Sequence, residues 1–168
     1  MQLKEIDKAR YSKHFKQMFV GVCLVMLTIA LLSSQVLIAL IGGEDGSNFW
    51  LNLIGVVIAA FVTGSLIRSY KDHPWMYELI YVWELKQQLN RIYRKQKAIK
   101  AAMEEGDRDA MVIMNFSYQG SKQLYTLDDN TITMDELNRS IEALDILCAR
   151  YQITLSLDEY KEELLEKY

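Results

Sequence analysis

Two uninterrupted apolar runs dominate the pattern of this chain. Met18–Ile41 and Phe49–Ile67 contain no Asp, Glu, Lys, Arg or His, and only Gly42-Gly43-Glu44-Asp45-Gly46-Ser47-Asn48 separates them. About 20 apolar residues, rising ~1.5 Å each, cross the hydrocarbon core of a bilayer. The first run exceeds that length and the second just reaches it. The pattern predicts a transmembrane helical hairpin (18–67) with spans over 18–41 and 49–67 and an outward loop over 42–48. The first run also exceeds the ~7–15 apolar residues of a cleaved signal peptide, and its end, Ile38-Ala39-Leu40-Ile41, has no small-x-small cleavage site. A retained span is therefore expected.

Outside the hairpin the pattern changes to helical periodicity. Leu3, Ile6, Arg10, Tyr11 and Phe15 are spaced for one face of a short amphipathic helix from Leu3 to Gln17, within a basic lead over 1–17. After the second run, Pro74 suits the first turn of a new helix, with Asp72 or His73 near its cap. Leu85, Leu89, Ile92, Ile99 and Met103 form a short coiled-coil-like seam with Gln96 in its gap, so that helix should run to about Glu105. Gly106 followed by Asp107 reads as a helix end and a fresh cap. A helix over 108–127 follows, with Ala110, Met111, Met114, Tyr118, Ser121 and Tyr125 on one face and Gly120 marking a close crossing. Thr133 with Glu136 and Ser156 with Glu159 read as capping boxes. They open helices over 134–151 and 157–167. The fold class is thus all-α: a transmembrane hairpin followed by a cytoplasmic domain of about four helices over 68–168.

The few polar residues inside the runs suggest how the hairpin packs. Gly55, Ala59 and Thr63 recur every fourth residue, a small-residue face that permits close helix approach. Folding the chain about Asp45 brings Gln35 to the level of Gly55. An amide in hydrocarbon is costly unless hydrogen-bonded, so Gln35 is expected in the seam with Asn52 or Ser34 beside it.

Charge sets the orientation. Lys4, Lys8, Arg10, Lys13 and Lys16 precede the first run, and Arg68 and Lys71 follow the second. The intervening loop carries only Glu44 and Asp45. Basic flanks stay cytoplasmic, so both termini are expected there and the protein is expected in the cell inner membrane. Lys13, Lys16, Arg68 and Lys71 should meet anionic headgroups, with Trp75 and Trp83 in an aromatic belt. The unpaired Cys23 and Cys148 suit a reducing compartment for the tail.

Composition narrows the chemistry. The 168 residues carry a net charge of −3, with mean hydropathy near zero because greasy and charged halves cancel. Lys86, Arg91, Arg94, Lys95, Lys97 and Lys100 make one helix basic, whereas residues 106–168 hold thirteen acids against six bases. Pairing within the chain is the expected use of that basic face. No nucleic-acid motif accompanies it. Asp129, Asn130, Thr131, Ile132, Thr133 and Glu136 fit the later half of a calcium loop. Its first side-chain ligands would fall on Tyr125 and Leu127, so a turn is expected instead. Cys148 lacks a nearby histidine base and reads as a small buried hydrophobe. No catalytic constellation, cofactor, metal site or small-molecule substrate follows from the residues.

The basic start, Asn48-Phe49-Trp50-Leu51-Asn52-Leu53, and Tyr118-Gln119-Gly120-Ser121-Lys122-Gln123-Leu124 with Leu127-Asp128-Asp129-Asn130-Thr131 together resemble an uncharacterised family of small gammaproteobacterial inner-membrane proteins with two spans. The resemblance covers nearly the whole chain and implies an origin and a topology, with no activity attached. Tyr118, Gln119, Lys122, Asp128, Asp129 and Asn130 form its most particular stretch and are the candidate interaction segment. The expected function is a membrane-anchored helical interaction or accessory module, partnered by the lipid bilayer and by a homo-oligomer or another membrane protein. The alternatives are an oligomeric transport or channel component and a regulatory subunit of a membrane enzyme.

Overall fold

The computed structural model describes residues 1–42 and 48–168, so the expected loop over 42–48 lies, in its 43–47 part, outside the described residues. Those residues are mostly helical, with no strand among them. Helix α1 spans Lys8–Ile41 and α2 spans Phe49–Tyr70. A 3-10 turn at Pro74–Met76 leads into α3, Tyr77–Glu104. Helices α4, Arg108–Leu127, and α5, Met134–Tyr151, follow with the bounds that the local punctuation predicts. Contacts divide the chain into two units. Met1–Ser12 and Ile80–Tyr168 form one, and Lys13–Leu79 the other.

The unit of α1 and α2 is apolar on the outside. Phe19, Leu24, Leu27, Leu31, Leu32, Phe61 and others along both helices are more than half exposed. Both helices are long and apolar enough to cross a membrane. They touch on a narrow seam: Gly55, Ala59 and Thr63 are the buried residues of α2. A Cβ at Gly55 would collide with the Ser34 hydroxyl and sit 3.0 Å from the Ala30 carbonyl oxygen, so only glycine admits this approach.

The other unit is built around α4. Ala110, Met111, Val112, Ile113, Met114 and Phe116 are all essentially buried. A helix buried on every side belongs in a core, so α4 buries more than the single face its spacing predicts. Leu85, Ile92, Ile99 and Met103 of α3 and Leu137 and Leu144 of α5 join that core. Gly120 lets Leu85 and Leu89 lie close, since a Cβ there would come within 3.2 and 3.3 Å of their methyl groups.

Three helices in this unit end by the same device. Gly106 takes φ 91°, while its amide reaches the Met103 carbonyl at 3.1 Å and the Asp107 amide reaches that of Ala102 at 3.0 Å. This Schellman pattern satisfies carbonyls that the helix end leaves free. Asp129 (φ 54°) and Gln152 (φ 55°) occupy the equivalent left-handed position after α4 and α5. The next amides return to Tyr125 and Cys148, each at 2.9 Å.

Three local expectations are corrected. Helix α1 starts at Lys8, not Leu3, because the Asp7 carboxylate caps it by accepting the Arg10 amide at 3.0 Å. Ahead of it, Lys4 gives its amide to the Tyr81 hydroxyl at 2.9 Å and its carbonyl accepts from Gln123 at 2.5 Å, so side chains replace helical bonds. Residues 157–167 form two 3-10 pieces, Leu157–Glu159 and Glu162–Lys167, rather than one helix. Between them the backbone extends at Tyr160, whose ring is buried flat on Phe116 at 3.9 Å while its hydroxyl accepts from Gln88. The Ser156–Glu159 capping box forms. The Thr133–Glu136 one does not, and the buried Thr133 hydroxyl has no partner among the described residues.

Opposite charges close the end of the chain onto its core. Lys167 bridges Asp107 at 2.7 Å and Asp109 at 3.0 Å, and the Tyr168 hydroxyl donates to Asp107 at 3.0 Å. Arg108 meets Glu159 and Arg91 meets Glu162, both at 2.7 Å, and Lys95 donates to the Leu165 carbonyl at 2.7 Å. The basic face of α3 is thus partly neutralised from within. Among the described residues Arg94, Lys97 and Lys100 have no ion-pair partner.

The caps and charges lead to two expected outcomes. A side chain at the left-handed position costs about 1–2 kcal/mol, and at Gly106 it would also meet the Tyr151 ring at 2.6 Å. Gly106→Ala should therefore lower stability by about 2 kcal/mol and Gln152→Gly should raise it by about 1 kcal/mol, read by thermal unfolding of the full chain in detergent. Partial burial pushes the Asp107 carboxyl up, but hydrogen bonds from Lys167, Tyr168 and the Asp109 amide outweigh it and hold the group below its ordinary range. A carboxylate lowered by folding stabilises fully above its unfolded value of about 3.9 and loses that contribution as pH falls through the folded value. The stability gap between wild type and Asp107→Asn should thus be constant near neutrality and shrink below about pH 4.

Candidate functional site

Between α3, α4 and the start of α5 lies a groove of about 560 Å³. Its apolar lining comes from Leu89, Leu124 and Leu137. Polar groups surround them: Lys86, Tyr93 and Lys100 from α3, Ser117, Tyr118 and Ser121 from α4, Glu136 and Ser140 from α5, and Thr133 just before it. Each is placed by ordinary helical spacing. Lys86, Tyr93 and Lys100 fall seven apart, and Tyr118, Ser121 and Tyr125 fall three and four apart, so each set shares a face. Tyr118 is the buried member, and burial pushes its hydroxyl pKa up while a hydrogen bond with Ser140 works the other way. The orphaned Thr133 hydroxyl belongs to the same lining.

The volume falls in the range of small-ligand sites. Hydroxyls, two amines and one carboxylate over an apolar floor can grip a ligand by hydrogen bonds and apolar contact. Both histidines and Cys148 lie outside this lining. Burial, then Asp145, pushes the Cys148 thiol up, which keeps it protonated.

The expected interaction segment divides across this site. Tyr118 lines the groove, Gln119 is half-buried and Lys122 is exposed. Asp128 and Asp129 do not reach it. The Asp128 carboxylate accepts from Lys86 at 2.9 Å and from the Tyr11 hydroxyl at 3.2 Å, and Asp129 pairs with Lys8. The Asn130 amide completes the cap on Tyr125. These residues therefore tie the first turn of α1 to the end of α4. Burial, then Asp128, pushes the Tyr11 hydroxyl up to about 12, so it stays a donor.

In the unit of Lys13–Leu79 the hairpin-packing residues part company. Gly55, Ala59 and Thr63 are buried, and the Thr63 hydroxyl has no partner among the described residues. Gln35 is exposed, against expectation. Ser34, one residue earlier, occupies the seam and its hydroxyl reaches the Asn52 carbonyl at 3.5 Å. Folding about Asp45 sets the level of a residue correctly but not its direction, and neighbours on a helix differ by about 100°. The Asn52 side chain is exposed. Lys13, Lys16, Arg68 and Lys71 are exposed, Trp75 is half-buried and Trp83 is exposed in the other unit.

Sequence reasoning missed a buried polar pair. His14 Nδ1 lies 3.2 Å from Glu78 Oε2, and only 9% and 4% of these residues is exposed. The Trp75 ring covers the imidazole at 4.8 Å between centroids. The partners are separated by the whole hairpin, so no local spacing could join them.

No curated protein and no solved structure matches this chain. The family model described as a protein of unknown function (DUF3087) matches residues 1–165, and the chain belongs to that family.

Proposed function

We propose that the chain is an integral inner-membrane protein with two spans and both termini in the cytoplasm, and that its helical unit serves as an interaction or accessory module. The observation that carries the membrane reading is the exposure of α1 and α2. Only 6% and 17% of their most apolar stretches is buried within the protein. Neither stretch beyond Lys16 and before Arg68 carries a charge among the described residues. In water such a surface would be an aggregation site, whereas in hydrocarbon it is solvated. The basic flanks and the acidic loop support the orientation. The groove beside Tyr118, with Lys100 in its lining and Arg94 and Lys97 on the same helix, all three without an ion-pair partner among the described residues, supports recognition of a partner rather than a purely mechanical anchor.

A reporter that is active only outside the cytoplasm should stay silent when fused after Tyr168 and become active when inserted after Gly43. The reverse would contradict the orientation. A photo-crosslinker at Ser121 in the full chain should capture one discrete second polypeptide in mild detergent. Recovery of uncrosslinked monomer alone would count against the module reading.

A further inference from the structure

Gln35 sits in the apolar length of α1 with its amide exposed and with no hydrogen-bond partner among the described residues. It lies near the level of Asn52, the exposed amide of α2, whose carbonyl the neighbouring Ser34 reaches, but the two side chains tilt in opposite directions. Side chains tilt toward the N-terminus of their helix. For Asn52, in the first turn of α2, that tilt leads toward the outer surface and its water. For Gln35, six residues short of Ile41, it leads toward the middle of the bilayer. An amide there is expensive without a partner.

A second observation falls on the same face. Gly21, Thr28 and Gln35 are spaced by seven, and a seven-residue step returns to within about 20° of the same direction. Ala30 and Ser34 face α2 through Gly55. At 100° per residue, Thr28 and Gln35 lie about 160° and 140° around the helix from Ala30. Leu24 and Leu31, which complete this outer face, are 60% and 64% exposed. Nothing lies within 4 Å of where a Gly21 Cβ would be, so packing inside this chain does not explain that glycine. The Thr28 hydroxyl is already bonded to the Leu24 carbonyl at 2.8 Å and adds no unpaired donor to the face.

We infer that this outer face of α1, Gly21-Leu24-Thr28-Leu31-Gln35, is the interface with a second copy of the same chain. The inference rests on the membrane reading above and adds the partner and the contact. Copies inserted with one topology run their α1 helices parallel, and a two-fold axis along the membrane normal sets Gln35 of one copy against Gln35 of the other. A primary amide is both donor and acceptor, so two of them satisfy each other reciprocally. Gly21 then lets the backbones approach, as small residues do in membrane helix pairs. A different protein could supply an amide, but only a copy supplies the same amide at the same depth by symmetry.

The test uses the full chain in its native membrane, with Cys23→Ser and Cys148→Ser to remove background thiols. Leu24→Cys and Leu31→Cys should form disulfide dimers on mild oxidation, and Val36→Cys, well off this face but at similar depth, should not. Gln35→Leu should weaken the dimer about three- to twenty-fold, the range of interhelical hydrogen bonds in membranes, and Gln35→Asn should retain most of it. Equal crosslinking at Val36 and Leu31, or a dimer indifferent to Gln35→Leu, overturns the interface. Monomer throughout in a chain recovered with the membrane pellet overturns this inference alone. Recovery in the soluble fraction overturns the membrane reading and the inference together.

Discussion

An α-helix without charge for two dozen residues cannot keep company with water unless something covers it, and in this protein very little does. The contact between α1 and α2 is a narrow stripe, made close by Gly55 against Ser34 and Ala30. Most of the remaining surface of both helices is leucine, valine, isoleucine and phenylalanine turned outward. Helices satisfy their own backbone hydrogen bonds, so under the proposed membrane topology the solvent that suits such a surface is lipid. In that setting the hydrophobic effect would stabilise insertion rather than packing, and close contact and a few polar groups would hold the two helices together.

The second unit obeys the opposite rule. Its core forms around α4, whose Ala110–Met114 stretch is buried on all sides. Polar bonds then position the chain around it. Tyr81 and Gln123 hold the backbone of Lys4, Lys8 and Tyr11 meet Asp129 and Asp128, and Lys167 and Tyr168 close on Asp107. Both ends of the chain are therefore tied to the same unit. The exposed ion pairs contribute little each. Their importance is geometric, since they fix segments too short or too irregular to hold themselves.

Much of this architecture is legible in the residues alone. The two apolar lengths show in composition alone, and Pro74, the Gly106–Asp107 boundary and the Ser156–Glu159 box act over about one turn, so they set local geometry without help from the rest of the chain. What escapes a local reading depends on distance. Residues 1–7 lose their helix to side chains some eighty and a hundred and twenty positions away. The 157–167 segment breaks because Tyr160 stacks on Phe116. Gln35 and Ser34 differ by one step of a helix, which hairpin register alone does not resolve. The His14–Glu78 pair and the groove beside Tyr118 are both made of residues that only the fold assembles.

The proposed topology of the protein turns on whether α1 and α2 lie in lipid. Alkaline carbonate extraction of membranes from cells making the full chain puts that question directly. The protein should stay in the pellet with integral markers and be released only by detergent. Its appearance in the carbonate supernatant with peripheral proteins would contradict a membrane-spanning hairpin.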